Sequence, residues 1–359
     1  MKKSFLVVTL ALCLFSCANK QSCQKECVSE TRWSEQKAQQ WYDKQGWLVG
    51  CNFTPSNAIN QLEMWQEDTF DPQQIDKELK WAQDLGFTSM RVFLHSLAWK
   101  QDPEGFKKRI DQYLSISNQH GISTMFVLFD DCWNAEAKVG KQPEPKTGVH
   151  NSGWLQDPSV SLRKDTASLY PVLEKYVKDI IGTFKNDTRV VIWDLYNEPG
   201  NSGHGENSLE LLKKTYQWAR ACNPSQPLTS GLWSLGLREI SNFQAQNSDI
   251  ITYHNYSDAG RHGEWIAWMK LYNRPLVCTE WMARRANSTF ESVMPLLKKE
   301  KVGAYNWGFV SGKTNTIYAW GEPRPDGKEP ELWFHDIIRT DGTPFNAKEI
   351  ETIKSLTLK

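Results

Sequence analysis

Val190-Val191-Ile192-Trp193-Asp194-Leu195-Tyr196-Asn197-Glu198-Pro199-Gly200 is a β-branched and apolar run that stops at an Asn-Glu pair followed by Pro-Gly. β-Branched and aromatic side chains favour a buried extended backbone, whereas Asn, Pro and Gly favour a turn. The stretch therefore reads as a buried strand that delivers a carboxylic acid to its own C-terminal end. Arg274-Pro275-Leu276-Val277-Cys278-Thr279-Glu280-Trp281-Met282 repeats the arrangement, with a strand over 275–279 ending at Glu280. Strands of a parallel barrel all present their C-terminal ends to one face, where catalytic groups gather. Two glutamates on that face meet the needs of glycosidic cleavage. One carboxylic acid protonates the leaving oxygen, and one carboxylate attacks or stabilises the oxocarbenium-like centre.

Working outward, eight short apolar runs, at 47–54, 88–94, 123–129, 190–196, 227–232, 250–254, 275–279 and 303–309, alternate with amphipathic segments of helical period. The helical segments fall at 71–85, 105–119, 169–184, 209–221, 263–272, 288–299 and 346–356. In the first of them Pro72 sits at the opening turn, Ile75, Leu79, Ala82 and Leu85 share one face, and Gly86 ends the helix. Eight strands alternating with amphipathic helices predict an α/β fold, a (β/α)8 TIM barrel in a single domain. Two long irregular segments, 130–157 after the third strand and 311–330 after the eighth, are expected to wall a substrate cleft.

With the glutamates on the fourth and seventh strands, the chain resembles a clan A glycoside hydrolase, and most closely glycoside hydrolase family 5, the cellulase and mannanase family. The likeness covers about residues 46–357. Asn197-Glu198-Pro199 matches the family's acid/base motif. The resemblance implies that Glu198 is the general acid/base, that Asn197 bonds the 2-hydroxyl of the bound sugar, and that Glu280 is the nucleophile. Arg91 in Ser89-Met90-Arg91-Val92-Phe93 matches the arginine that supports the nucleophile. His254 and Tyr256 match the sixth-strand pair, and Trp307 the aromatic floor under the cleaved sugar. The third strand departs from the family, which often has a histidine there; this chain reads Phe129-Asp130-Asp131-Cys132-Trp133. Asp130, Asp131 and Trp133, with Trp281 beside the nucleophile, are the remaining candidates for substrate contact.

The reaction so implied is retaining, double-displacement hydrolysis of a β-linked polysaccharide or oligosaccharide of the β-mannan, β-glucan or xylan type. The Glu280 charge is expected to raise the pKa of Glu198. The carboxyls should stand about 5 Å apart. Neither a metal nor an organic cofactor is called for. An exo-acting glycosidase, a transglycosylase on the same scaffold and a non-catalytic glycan-binding lipoprotein are the alternative readings.

Composition bounds the rest. Lys and Arg number 42, as do Asp and Glu, so the formal net charge is zero and nothing electrostatic points to nucleic acid. Seventeen Trp stand against this neutral background. An indole offers a flat apolar face to a sugar ring and an N–H donor, so a carbohydrate partner is expected for part of this set. Residues 1–16 carry Lys2, Lys3 and a short apolar run, a secretory signal rather than a span. Leu14-Phe15-Ser16-Cys17 resembles a bacterial lipobox, so Cys17 is expected to carry lipid and to tether an exported monomer to a cell-envelope membrane. Residues 17–45 read as a polar tether and lead-in, and 46–359 as the catalytic domain. Cys51, Cys132, Cys222 and Cys278 are scattered without metal-type spacing and are expected to be free thiols, whereas Cys23 and Cys27 lie in the tether.

Overall fold

The computed structural model describes residues 31–358. Its strands are β1 (Val49–Asn52), β2 (Ser89–Phe93), β3 (Ser123–Val127), β4 (Val190–Asp194), β5 (Leu228–Thr229), β6 (Ile251–His254), β7 (Leu276–Trp281) and β8 (Gly303–Asn306). They run in the order β5-β4-β3-β2-β1-β8-β7-β6, and every neighbouring pair is parallel. A parallel bridge between Leu232 and Tyr253 brings the two ends together. The result is the nearly closed (β/α)8 barrel that the alternation predicts.

The helices are α1 (Glu35–Gln45), α2 (Gln61–Trp65), α3 (Pro72–Asp84), α4 (Ser96–Gln101), α5 (Pro103–Gln119), α6 (Thr166–Phe184), α7 (Leu209–Ala221), α8 (Arg238–Asn247), α9 (Ala259–Met269), α10 (Met294–Lys299) and α11 (Ala347–Thr357). In α3 the Asp71 side chain accepts from the Gln73 and Gln74 amides, Pro72 opens the first turn, and Ile75, Leu79 and Ala82 are buried. Such an N-cap contributes on the order of 1 kcal/mol. Gly86, at φ +73°, stops the chain before β2.

Three differences from the sequence reading bear on the site. First, β7 continues through Trp281, two residues beyond its expected end, and carries Glu280 within the ladder. Register shifts at Tyr253/His254 and at Cys278/Trp281 disturb the alternation around Glu280, as bulges do where side chains must be re-aimed. Second, β5 keeps only two ladder residues. Third, the lead-in contains α1. Trp33, Ala38 and Tyr42 pack there with Leu48, Met125, Ile192, Val277 and Tyr305. Trp33 N–H donates to Asp249 at 2.7 Å and the Tyr42 hydroxyl to the Lys301 carbonyl at 2.9 Å. Asp249 precedes β6 and Lys301 precedes β8, so α1 closes the face opposite the strands' C-terminal ends.

Among the described residues, no helix is long and apolar enough to cross a membrane, and Cys51, Cys132, Cys222 and Cys278 are free thiols. The expected signal at 1–16, and Cys17, Cys23 and Cys27, lie outside the described residues.

Candidate active site

Arg91 is the hub. It stands mid-strand in β2, fully buried, and its guanidinium is used in every direction. Nη1 donates to Glu280 Oε1 at 2.9 Å and Asn52 Oδ1 at 2.7 Å; Nη2 donates to Asn197 Oδ1 at 2.7 Å and Asp194 Oδ2 at 2.9 Å; Nε donates to Asp194 at 3.0 Å. One planar cation thus ties β1, β2, β4 and β7 together and fixes residues beside both glutamates. The Tyr256 hydroxyl donates to the other Glu280 oxygen at 2.9 Å.

Glu198 follows β4 in a left-handed backbone conformation, φ +44°. Non-glycine residues adopt that region at a cost of about 1–3 kcal/mol, which the surrounding structure must hold in place. His254 Nδ1 donates to Glu198 Oε1 at 2.7 Å and lies 3.5 Å from Glu280 Oε2, between the two carboxyls. The Asn201 amide and the Cys132 thiol, the latter at 3.3 Å, donate to Glu198 Oε2. One oxygen of each glutamate and a ring nitrogen of His254 lie within 4.8 Å of one another.

This crowding sets the protonation order. Burial pushes the Glu198 carboxyl up, but the His254 hydrogen bond and charge, with donation from Cys132 and Asn201, outweigh it and hold Glu198 below the usual glutamate range. Burial, and after it the Glu198 charge, raise Glu280 against the pull of His254 and Arg91. Burial alone would depress His254, yet the two glutamates raise it. The net shift of Glu198 is thus downward rather than upward as expected, because the hydrogen bond and charge of the imidazole between the two carboxyls outweigh burial. Burial drives the Cys132 thiol and the Tyr256 phenol well up, so both remain protonated donors.

The glutamates open into a cleft of about 680 Å³. Six of its lining residues are tryptophans, Trp133, Trp154, Trp233, Trp265, Trp307 and Trp320. Trp154 and Trp307 meet edge to face at 5.7 Å.

A family model for cellulases of glycosyl hydrolase family 5 matches residues 50–312. The chain belongs to glycosyl hydrolase family 5. This family 5 enzyme is an O-glycosyl hydrolase, and solved structures share its fold. A GH5_18 structure from Streptomyces cattleya in complex with GlcNAc is 12% identical over 86% of this chain and 80% of its own, with a TM-score of 0.61. The endo-β-1,4-mannanase from Thermotoga petrophila is 15% identical over 89% and 77%, with a TM-score of 0.55. An exo-β-1,4-mannosidase from an Opitutaceae bacterium is 15% identical over 87% and 60%, with a TM-score of 0.60. No curated protein sequence matches at a significant level.

Of the residues singled out from sequence, the family 5 enzyme gathers Arg91, Asn197, Glu198, His254, Tyr256, Glu280 and Trp307 at one place. Trp133, 40% exposed, stands in the cleft wall. Three others do not reach the cleft. Trp281 is buried behind β7, away from the cleft, against Phe290 at 5.2 Å. Asp131 is fully buried and accepts from Tyr196 Oη at 2.6 Å, Gly200 N at 2.7 Å, Ser208 Oγ and Arg163, which fastens the loop carrying Glu198. Asp130 accepts from Asn197 Nδ2 at 2.9 Å, Trp154 Nε1 at 2.7 Å and the Cys132 amide at 2.9 Å. Burial pushes the Asp130 carboxyl up to about 7. Asp130 and Asp131 are therefore positioning residues. Sequence reading missed Cys132, His150, Asn151 and Asn201. Asn201, three residues after Glu198, was the accessible signal, because that spacing lets its amide fold back onto the acid.

Proposed function

We propose that this family 5 enzyme hydrolyses a β-linked glycan by double displacement with retention of configuration. The observation that carries the reading is the approach of the Glu198 and Glu280 oxygens to within 4.8 Å of each other. Retaining glycosidases hold their carboxyls about 5–5.5 Å apart and inverting ones about 6.5–9.5 Å, to admit a water. Glu280, ionised between Arg91 and Tyr256, attacks the anomeric carbon while Glu198 protonates the departing oxygen. Glu198 then takes a proton from water, whose oxygen displaces Glu280 from the sugar. At rest, the proton that Glu198 must donate is held in its hydrogen bond with His254.

The substrate class is a β-mannan, β-glucan or xylan type of glycan, with β-1,4-mannosides first to be tried. That priority is supported by the mannanase, the mannosidase and the Manβ1-4GlcNAc complex among structures of like fold. The test is hydrolysis of a panel of β-linked glycans and aryl β-glycosides, with NMR of the first-formed anomer. A β-anomer from the native protein, and loss of at least about 10⁴-fold in rate with Glu280→Gln, are expected. An α-anomer would overturn retention. Glycan binding without cleavage would favour the non-catalytic reading.

A further inference from the structure

The cleft is blind at one end. Its lining comes from His254 and Glu280 at the ends of β6 and β7 and from the segments after β3, β4, β5, β6 and β8, and among the described residues none from the segments after β1 or β2 takes part. The loops after β3 and β8 meet over that sector and are stitched together. Asn151 N donates to Thr314 O at 2.8 Å and Arg324 N to Gly148 O at 2.9 Å. His150 Nδ1 donates to Tyr318 O at 2.8 Å. Asn315 Nδ2 donates to the Lys146 and Val149 carbonyls at 3.0 and 3.2 Å.

The stitched wall is fastened to what lies behind it. Lys313 N donates to Ser56 O at 2.9 Å, and its ammonium pairs with Glu63 at 2.7 Å. Asn60 Nδ2 donates to Gly153 O at 2.9 Å and Gln61 Nε2 to Leu155 O at 3.0 Å. Between the wall and β1 there remains a space of about 30 Å³, lined in part by Asn151, Trp154 and Trp307. That volume suits about one water and no sugar ring.

The side on which the wall stands follows from the proposed chemistry, on which this inference rests. Trp307 floors the sugar that Glu280 attacks, and Glu198 protonates the oxygen of the part that leaves. On the Glu198 side the cleft is lined by Asn201, whose amide bonds Glu198, and by Trp233, whose indole donates to the Pro199 carbonyl at 3.1 Å. The wall adjoins Trp307, so it closes the non-reducing side after one sugar.

The wall also carries unused hydrogen-bonding capacity. His150 and Asn151 line the cleft and are 4% and 1% exposed. His150 Nε2 and both polar side-chain atoms of Asn151 have no partner within the protein. The Tyr318 carbonyl can only accept, so His150 Nδ1 carries the proton and Nε2 is left as an acceptor. Burial holds this imidazole near 4, which keeps it neutral. Buried polar groups are almost always paired, so these call for a partner that the protein itself does not provide.

We propose that the enzyme is exo-acting: a blind pocket takes the non-reducing terminal sugar of a β-linked oligosaccharide, His150 and Asn151 pair with its hydroxyls, and hydrolysis releases it as a monosaccharide. The bond from the terminal anomeric carbon to the bridging oxygen breaks; water supplies hydroxyl to the carbon and a proton to the oxygen.

The experiment is product analysis of the native protein on short β-1,4-linked oligosaccharides of mannose, glucose and xylose labelled at the reducing end. Each is run beside a copy methylated at the terminal 4-hydroxyl, and aryl β-glycosides serve as a further control. Loss of one sugar at a time from uncapped chains, with the capped copies resistant, is the expected result. Internal cuts, or equal cleavage of capped chains, would overturn exo action while leaving the hydrolase intact. Cleavage of nothing, aryl glycosides included, would overturn the hydrolase reading and this inference with it. Asn151→Gly retains a residue that accepts the left-handed backbone found there, φ +46°. It should raise KM about tenfold, the equivalent of one lost hydrogen bond. An unchanged KM would remove Asn151 from the subsite.

Discussion

At the scale of single residues, Arg91 carries more of the site than either glutamate. Its charge compensates Asp194 and Glu280 inside the barrel, so truncation leaves buried carboxylates unpaired. Breaking a buried pair in this way costs about 3–5 kcal/mol. Arg91→Ala should lower unfolding stability by that amount in a urea titration, and activity should fall with it. Glu280→Gln, which changes one charge at the edge of the same network, should stay folded. The protonation order gives a second expectation. Activity needs Glu280 ionised, and its pKa is raised, so the acid limb of the pH profile should lie above the ordinary glutamate value of 4.5. Activity also needs the proton held by the His254–Glu198 pair. His254 is raised, so that proton survives to above 6.5 and the basic limb lies higher still. Removing the imidazole with His254→Asn should move the basic limb by more than the acid one, read from kcat/KM against pH. Glu198, Glu280 and Arg91 were legible in the sequence because each sits where an apolar run ends or is interrupted by a charge. The roles of Asp130 and Asp131 were not, since an acid opening a loop looks alike whether it faces sugar or holds a neighbour's amide. Trp281 misled because proximity in sequence to Glu280 does not place a side chain in the cleft.

At the scale of elements, the eight strands and seven of the helices follow from periodicity, because apolar residues recur along each at the spacing of its backbone. α1 escapes that reading because only Ala38 and Tyr42 of its eleven residues are buried, too narrow a stripe to rise above a polar background. The two long loops were visible as loops, but their union was not, since it is made mostly by backbone groups whose partners lie more than a hundred residues away. Gly148 is where that union is most easily undone. It holds φ +65°, and a Cβ there would stand 1.9 Å from the Arg324 carbonyl oxygen. Gly148→Ala should part the loops without disturbing the barrel. Its melting temperature should therefore change little, whereas its products from labelled oligosaccharides should shift toward internal cuts. A native product pattern in this variant would show that the wall does not depend on that contact.

At the scale of the whole molecule, the remaining expectation concerns the export and lipid attachment that Leu14-Phe15-Ser16-Cys17 suggests. Cys17→Ala should move the protein from the membrane fraction to the soluble one in a bacterial host, with unchanged hydrolysis per molecule. The described chain enters the barrel through α1. Arg32 and Trp33 grip the Ser248 and Asp249 region, and α1 caps the barrel on the side away from the glutamates. The first described residues, 31–33, therefore lie at the base of the barrel. A lipid carried upstream of residue 31 would hold the barrel by the end away from its glutamates, so the cleft would need no rearrangement of the barrel to stay open to solution.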